Sequence, residues 1–193
     1  MRAKEIFELK IIPEITEIKN WDNYKKYYVS PKEVKREDNL VLILSYDKKW
    51  NSYNIGYFEI NEKYKNKQIK NKNDLKNLKL VGNLSLLKTN NGYEVEVVGV
   101  DENYRGQNLG TKMYREFLKN VGYPIISDFK LTKKGLNLWK KFYFSNDFTV
   151  KGFNKETNQF FDVEFNEEKN FFISPDLDLS SSDNYRLALF PNF

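Results

Sequence analysis

The segment Arg105–Lys112, with the sequence RGQNLGTK, contains residues suited to binding a phosphate group. Glycine lets the backbone approach an anion closely, and the backbone N–H groups at the start of a helix attract negative charge. The spacing excludes a P-loop, because three residues rather than four separate Gly106 from Gly110, and Thr-Lys follows in the wrong order. A dinucleotide fingerprint is also excluded, since Asn108 stands where its second glycine would be. The segment therefore predicts an anion-binding turn of another kind.

Two carboxylates precede this turn on a predicted strand, YEVEVVGV (93–100). Side chains alternate along a strand, so Glu94 and Glu96 share one face with Val98 and Val100. A carboxylate there could act as a general base, and the chain has no histidine that could do so instead. The alternative is that both glutamates face solvent or pair with lysines of a neighbouring strand. If the chain is an enzyme, we expect its catalytic base to be Glu94 or Glu96.

The elements around the turn are predicted from periodicity and local signals. Asn91-Gly92 predicts a hairpin leading into the strand 93–100. Apolar residues at four-residue spacing predict an amphipathic helix from about 108 to 121. A short buried strand at 123–127 and a second helix follow, and Thr132 is the predicted N-cap of that helix. This order of strands and helices is typical of a layered α/β or α+β domain.

Strands are predicted through most of the remaining chain. The first ninety residues hold five short runs of β-branched, aromatic and aliphatic residues: IFELKII, KKYYVS, LVLILSYD, YNIGYFEI and LKLVGNLSLL. A strand pair is predicted in FTVKGFNKETNQFFDVEF, and one more strand in YRLALF. The lysine-rich segment 62–77 is the longest break. We interpret it as a solvated loop, with contact to nucleic acid as the alternative.

The composition limits the chemistry and the compartment. We expect a single domain over 1–193, with a strand-rich part at 1–79, a core at 80–165 and a tail at 166–193. The absence of cysteine and histidine excludes disulfides and thiolate or imidazole metal sites, and we expect no metal. A net charge of +5 gives the protein a weak electrostatic attraction to anions. No apolar run could form a membrane helix, so we expect a cytoplasmic protein that binds no membrane.

The run Arg105-Gly106-Gln107-Asn108-Leu109-Gly110, between a strand and a long helix, resembles the pyrophosphate turn of the GNAT superfamily of N-acetyltransferases, Arg/Gln-x-x-Gly-x-Gly/Ala. The pattern of ISDFKLTKKGLNLWKKFYFSNDF is similar to the next strand and helix of that family. The resemblance covers about 80–150 but not 1–79, where the family has a strand and two helices. It therefore implies a divergent member, with a mixed, mostly antiparallel sheet flanked by helices. The abundance of lysine and asparagine indicates the codon bias of an AT-rich genome, such as that of a low-GC bacterium or its phage. A phage protein would act in the host cytoplasm.

The resemblance also implies a cofactor and its contacts. Acetyl-CoA would be the co-substrate, and an amine of a small molecule or protein would accept the acetyl group. The implied contacts lie on the strand that holds the thioester, on the pyrophosphate turn with the start of its helix, and on the second helix: Val98, Gly99, Val100, Arg105, Gly106, Gln107, Asn108, Leu109, Gly110, Thr111, Thr132 and Trp139.

Two residues depart from the family pattern. Asn108 replaces the first glycine of the motif, although asparagine tolerates a positive φ better than other non-glycine residues. Trp139 stands where the family often has a tyrosine that protonates the departing thiolate, and an indole N–H is not a usable acid. Another tyrosine or water must then supply that proton.

Three functions are compatible with these residues. The first, which we expect, is direct acetyl transfer to an amine without a metal or a covalent intermediate. The second keeps the fold and the donor but modifies a nucleic-acid base, which requires a basic groove. The third is an inactive binding or inhibitory module, for which Asn108, Trp139 and the lack of histidine leave room.

Overall fold

The computed structural model describes residues 10–12, 21–128, 130–174 and 184–193. The strands are β1 (Lys10–Ile12), β2 (Pro31–Glu37), β3 (Leu40–Asp47), β4 (Ser52–Glu59), β5 (Lys79–Thr89), β6 (Gly92–Val100), β7 (Ile125–Ile126), β8 (Lys130–Thr132), β9 (Phe148–Asn154), β10 (Gln159–Asp162), β11 (Glu164–Asn166), β12 (Phe171–Ile173) and β13 (Tyr185–Pro191). The α-helices are α1 (Lys72–Leu75), α2 (Leu109–Asn120) and α3 (Lys133–Tyr143), and the 3₁₀ helices are η1 (Trp21–Tyr27), η2 (Glu62–Tyr64) and η3 (Glu102–Tyr104).

Nine of the strands form a mixed sheet in the order β10-β9-β13-β7-β6-β5-β4-β3-β2. β6 pairs with β7 in parallel, whereas the pairings along β2 to β5 and among β7, β13, β9 and β10 are antiparallel. Two small sheets join β1 to β8 and β11 to β12. The predicted fold class, an α+β fold with a mostly antiparallel mixed sheet and flanking helices, is confirmed.

The chain divides into two compact units. The first unit comprises the described residues of 1–17, 91–94 and 123–193, and the second comprises those of 18–90 and 95–122. The strand β6 contributes to both, because the division falls after Glu94. The single domain and its three predicted parts stay a prediction.

In the second unit, the strands β3, β4 and β5 are buried along most of their length. Helix α2 packs on one face, where the ring centres of Phe117 and Tyr53 are 5.6 Å apart. The other face carries an apolar cluster to which η1, η2 and α1 contribute. Its members include Trp21, Tyr28, Val41, Ile43, Phe58, Tyr64, Ile69, Leu75 and Leu80. Because both faces of the sheet are covered here, the sequences of these strands are nearly continuous runs of apolar residues.

In the first unit, α3 packs on β9 through an edge-to-face contact between Phe142 and Phe148, whose ring centres are 5.1 Å apart. The helix begins after Thr132, whose Oγ1 accepts a hydrogen bond from the N–H of Gly135 at 3.0 Å. The predicted N-cap is therefore confirmed. Helix α2, the hairpin at Asn91-Gly92 and the strands β7, β9, β10 and β13 also lie where they were predicted.

The strand predicted over KKYYVS (25–30) is wrong. The helix η1 occupies Trp21–Tyr27 instead, because Trp21 and Tyr28 are both buried in the apolar cluster. The Oδ1 of Asp22 also accepts a hydrogen bond from the N–H of Leu80 at 3.0 Å, which attaches η1 to β5. Of the strand predicted over IFELKII, the structure has β1, whereas residues 6–9 lie outside the described residues.

The interpretation of the lysine-rich segment 62–77 as a solvated loop needs correction. It contains η2 and α1, and it buries Tyr64, Ile69 and Leu75 in the apolar cluster. Its lysines are exposed, as predicted, but its backbone is anchored by specific side chains of the chain. The alternative contact with nucleic acid stays a prediction.

Candidate functional site

Asp101 determines how the chain leaves β6. Its backbone N–H donates to the carbonyl of Val81 at 2.8 Å, and its Oδ1 accepts from the N–H of Asn103 at 3.0 Å. Lys79 Nζ lies 3.2 Å from the Oδ2 of Asp101. Burial raises the pKa of Asp101, but the N–H of Asn103 and the ammonium of Lys79 outweigh that effect and hold it below its ordinary value. The ionised carboxylate therefore fixes the start of η3.

Tyr104 is the last residue of η3 and holds it against β4 and β5 of the second unit, through Glu59 and Lys79. Burial is the main cause that raises the pKa of Tyr104 to about 12, and a hydrogen bond to Glu59 raises it further. Lys79 Nζ lies 5.3 Å from the centre of its ring. The phenol therefore keeps its proton at neutral pH.

The turn formed by residues 105–111, which we call the Gly106 turn, has two residues in the left-handed region. Gly106 has a φ of 82° and Asn108 a φ of 64°. Asparagine is among the few non-glycine residues that adopt such a φ at low cost. An ideal Cβ built on Gly106 or on Gly110 would meet no heavy atom within 4 Å, so both border open space. A ligand can reach the backbone here without meeting a side chain at either glycine.

The start of α2 completes the Gly106 turn. Asn108 is the N-cap, and its side chain makes no capping hydrogen bond. The N–H groups of Leu109, Gly110 and Thr111 lie in the first helical turn, where the backbone has no acceptor within the helix. No acidic residue lies in that turn. The N-terminus of this twelve-residue helix carries the positive end of the helix dipole. It therefore lies within the chain segment predicted to bind a phosphate.

Lys112, the next residue, is held by a contact that the sequence did not indicate. Its Nζ lies 2.5 Å from the Oε2 of Glu37 on β2, and Lys35 Nζ lies 2.7 Å from the Oε1 of the same carboxylate. Burial raises the pKa of Glu37, but the hydrogen bonds from Lys112 and Lys35 together lower it below its ordinary value. This ion pair ties the first half of α2 to β2. No local signal could have indicated a contact between residues 75 positions apart.

The strand segment predicted to hold a thioester has two different faces. An ideal Cβ on Gly99 would lie 2.5 Å from Cη2 and Cζ2 of the Trp21 indole, so only glycine lets Trp21 lie there. An ideal Cβ on Gly82 of β5 would lie 3.5 Å from Cγ2 of Val100 and 3.6 Å from Cε of Met113 in α2. Val98 is partly exposed. Gly99 is therefore in close contact with Trp21, and the cofactor contacts of Val98, Gly99 and Val100 stay predictions.

The two candidate bases differ in their surroundings. Glu94 belongs to the first unit, lies opposite Ile126 in the parallel ladder and has its Oε1 3.6 Å from Lys155 Nζ. Glu96 belongs to the second unit and is exposed. Glu94 thus pairs with a lysine, but Lys155 lies in the turn after β9 and not on a strand that neighbours β6, as the alternative to catalysis had it. The assignment of either residue as base stays a prediction.

The remaining predicted cofactor residues lie in or near α3 of the first unit. Thr132 is the N-cap of α3. Trp139 is 2% exposed and packs edge-to-face on Phe142, with ring centres 5.8 Å apart. The indole therefore contributes to the core of this unit, and the cofactor contacts of Thr132 and Trp139 stay predictions.

Neither a metal cluster nor a membrane span was found in the part of the chain that the structure describes. Among residues 10–12, 21–128, 130–174 and 184–193, no three acidic residues group together as metal ligands would. The helices of these same ranges are all too short or too polar to cross a membrane.

Comparison with known proteins gives two similar structures. No family model and no curated protein sequence matches the chain. A solved structure described as an acetyltransferase of the GNAT family from Bacteroides thetaiotaomicron is 15% identical over 76% of this chain, with a TM-score of 0.36. This chain spans 65% of that protein's length. The crystal structure of a nourseothricin acetyltransferase is 10% identical over 85% of this chain and 84% of its own, also with a TM-score of 0.36. Similarities this weak do not assign a family.

Proposed function

We propose that the protein transfers an acetyl group from acetyl-CoA to an amine. The observation that carries the proposal is the Gly106 turn. Two left-handed residues, open space beside both glycines and an α2 start without acidic residues support a backbone site that would bind a pyrophosphate.

Each part of the Gly106 turn would contribute differently. The backbone N–H groups from Gly106 to Thr111 would donate to the pyrophosphate oxygens, which needs no side-chain charge. Leu109 is buried, so only its backbone is available to a ligand, whereas Arg105 and Gln107 are exposed. The guanidinium of Arg105 would add a charge-assisted hydrogen bond to a phosphate oxygen.

The thioester end of the cofactor would lie along Val98, Gly99 and Val100, where strand backbone groups can bind the pantetheine amides and the thioester carbonyl. The acceptor nitrogen would attack the carbonyl carbon. A C–N bond would form as the C–S bond breaks, and the electron pair of that bond would leave on the thiolate. Glu94 or Glu96, directly or through water, would take the proton that the amine loses, and a tyrosine or water would protonate the thiolate.

Binding of acetyl-CoA tests the proposal directly. Ligand at about a hundred times its Kd should stabilise the folded protein by about 2.7 kcal/mol, which a thermal shift measures. Gly110→Trp should abolish this shift, because the indole would fill the open space at the start of α2. Asn120→Trp, at the exposed opposite end of the same helix, is the matched control and should keep it.

The result that contradicts the proposal is a folded wild-type protein that shows no shift at millimolar acetyl-CoA. That result would favour the alternative of a binding module that has kept the fold without the chemistry. A shift that survives in Gly110→Trp would instead mean that acetyl-CoA binds elsewhere on the chain.

A further inference from the structure

The lysine-rich segment 62–77 carries most of the excess positive charge of the chain. It has six lysines and two acidic residues, whereas the whole chain has a net charge of +5. The lysines are all exposed: Lys63, Lys65, Lys67, Lys70, Lys72 and Lys76. A charge run of this kind usually belongs to a solvated loop. It indicates a partner only if the fold orders the lysines and takes the neighbouring carboxylates away from the surface.

The fold does turn two of these carboxylates inward. Asp74 is 7% exposed, and its Oδ2 accepts from the N–H groups of Lys70 and Asn71 at 3.0 and 3.2 Å. Glu33 of β2 accepts from the N–H of Ile69 through its Oε2 at 3.0 Å. Both carboxylates therefore hold backbone of the segment in place, and the lysine side chains point outward from an ordered chain.

The 3₁₀ helix η1 lies beside these lysines and adds aromatic rings. Lys72 Nζ donates to the carbonyl of Lys26 in η1 at 3.1 Å, and both residues belong to the second unit. The rings of Trp21, Tyr24 and Tyr27 follow one another along η1, with centres 5.6 and 5.8 Å apart. Tyr27 is the most exposed of the three, at 39%, and Lys26 Nζ lies 4.9 Å from its ring centre. An exposed ring thus lies next to exposed ammonium groups.

We propose that η1 and the exposed lysines of 62–77 form a surface that binds single-stranded nucleic acid. The ammonium groups would bind backbone phosphates as point charges, and a base would stack on the ring of Tyr27. A duplex offers the same phosphates but keeps its bases paired, so the exposed ring favours a single strand. An acidic protein segment or an anionic membrane would match the charge but would offer the ring no base. The inference is independent of acetyl transfer, because the surface contains no residue of the Gly106 turn.

The salt dependence of binding measures the phosphate contacts. Wild-type protein should bind a fluorescent strand of about 20 nucleotides, either thymidine DNA or uridine RNA, in anisotropy titrations at several salt concentrations. The triple variant Lys63→Ala, Lys70→Ala and Lys76→Ala should reduce the slope of log Kobs against log salt by about 2, because each phosphate contact of a single strand contributes about 0.7.

The matched control removes the same charge elsewhere in the second unit. Lys48→Ala, Lys49→Ala and Lys88→Ala change three exposed lysines at the opposite ends of β4 and β5 from the lysine-rich segment. This variant should keep the wild-type slope. Binding of either strand supports the inference, and the tighter of the two identifies the nucleic acid as DNA or RNA.

Stacking is tested at Tyr27. Tyr27→Ala should weaken binding by about 5- to 150-fold, the loss that corresponds to one stacked base, and should leave the salt slope unchanged. Tyr27→Phe keeps the ring and should bind as the wild type does. Gly110→Trp should also bind nucleic acid normally, which separates this inference from the proposed function.

Several outcomes would overturn the inference. One is a wild type that binds neither strand at about 50 mM salt. Another is an equal loss of slope in the two triple variants, because binding would then reflect net charge alone. Equally tight binding of poly-glutamate or of phosphatidylserine vesicles would mean an acidic protein or a membrane instead. If Tyr27→Ala fails to fold, a duplex of the same length provides the test, and binding as tight as that of the single strand contradicts stacking.

Discussion

The Gly106 turn and the lysine-rich segment 62–77 are both polar regions that the sequence suggests as anion sites, yet their backbones differ. In the turn, the N–H groups at the start of α2 have no acceptors within the helix, and the glycines border open space. In the lysine-rich segment, backbone groups are bound by side chains of the same chain. Fixed backbone donors make a more selective anion site than mobile lysine side chains, which solvent screens.

Arg36 on β2 holds the backbone of the lysine-rich segment in place. Its guanidinium donates to the carbonyls of Tyr64 at 2.9 Å, Lys65 at 2.8 Å and Lys67 at 2.5 Å. Its Nε also donates to the Oε1 of Glu33 at 2.6 Å. That hydrogen bond is the main cause that lowers the pKa of Glu33, although burial opposes it. One arginine on β2 thus binds three backbone carbonyls within residues 64–67, in a segment that the sequence presents as a loop.

Breaking this anchor should have the largest effect on stability. Arg36→Ala removes charge-assisted hydrogen bonds to three carbonyls and leaves Glu33 without its guanidinium, so the free energy of unfolding should fall by about 2 to 4 kcal/mol. Urea unfolding measures this loss. The control is Lys76→Ala, an exposed position in the same segment, which should change the free energy by less than about 0.5 kcal/mol. Equal losses in the two variants would contradict the role of Arg36.

A smaller, pH-dependent effect is expected at Asp74. Its Oδ1 binds Lys67 Nζ at 2.8 Å, and its Oδ2 accepts from the N–H groups of Lys70 and Asn71 at 3.0 and 3.2 Å. The hydrogen bond from Lys67 lowers the pKa of Asp74 below 3.8, and those backbone N–H groups add to the effect. A lowered folded-state pKa means that this stabilisation is complete above about pH 4 and is lost as the pH falls through the folded-state value.

Asp74→Asn should therefore lower the free energy of unfolding by about 1 kcal/mol at pH 7. The difference from wild type should shrink below pH 4, because wild-type Asp74 then becomes protonated too. Melting temperatures of both proteins between pH 2.5 and 7 provide the check. A difference that stays constant over this range would show that Asp74 does not titrate with folding.

The smallest effect should come from the exposed lysines themselves. The triple variant Lys63→Ala, Lys70→Ala and Lys76→Ala should change the free energy of unfolding by less than about 0.5 kcal/mol, because all three side chains are exposed. It should also keep the full acetyl-CoA shift, in contrast to Gly110→Trp. The same variant tests the nucleic-acid alternative by titration with DNA at several salt concentrations. Salt-dependent wild-type binding that the triple variant loses would mean that this segment is a nucleic-acid surface.

The sequence could predict the elements whose signals are local. Helix α2 follows from an apolar stripe at four-residue spacing, the β5–β6 hairpin from Asn91-Gly92, and the start of α3 from a threonine that can cap it. The conformation of Asn108 was also predictable, because asparagine is among the few residues that accept a positive φ at low cost. In each case neighbours in the chain decide the structure.

Only the tertiary structure decided the features that depend on distant residues. The tyrosines and valine of KKYYVS favour a strand, but burial of Trp21 and Tyr28 and the bond from Leu80 to Asp22 place a 3₁₀ helix there instead. The contacts of Arg36 with the lysine-rich segment, of Glu37 with Lys112 and of Trp21 with Gly99 link residues at least 28 positions apart. Such contacts leave no period or spacing in the sequence, since they form only when the strands between them have paired and brought the side chains together.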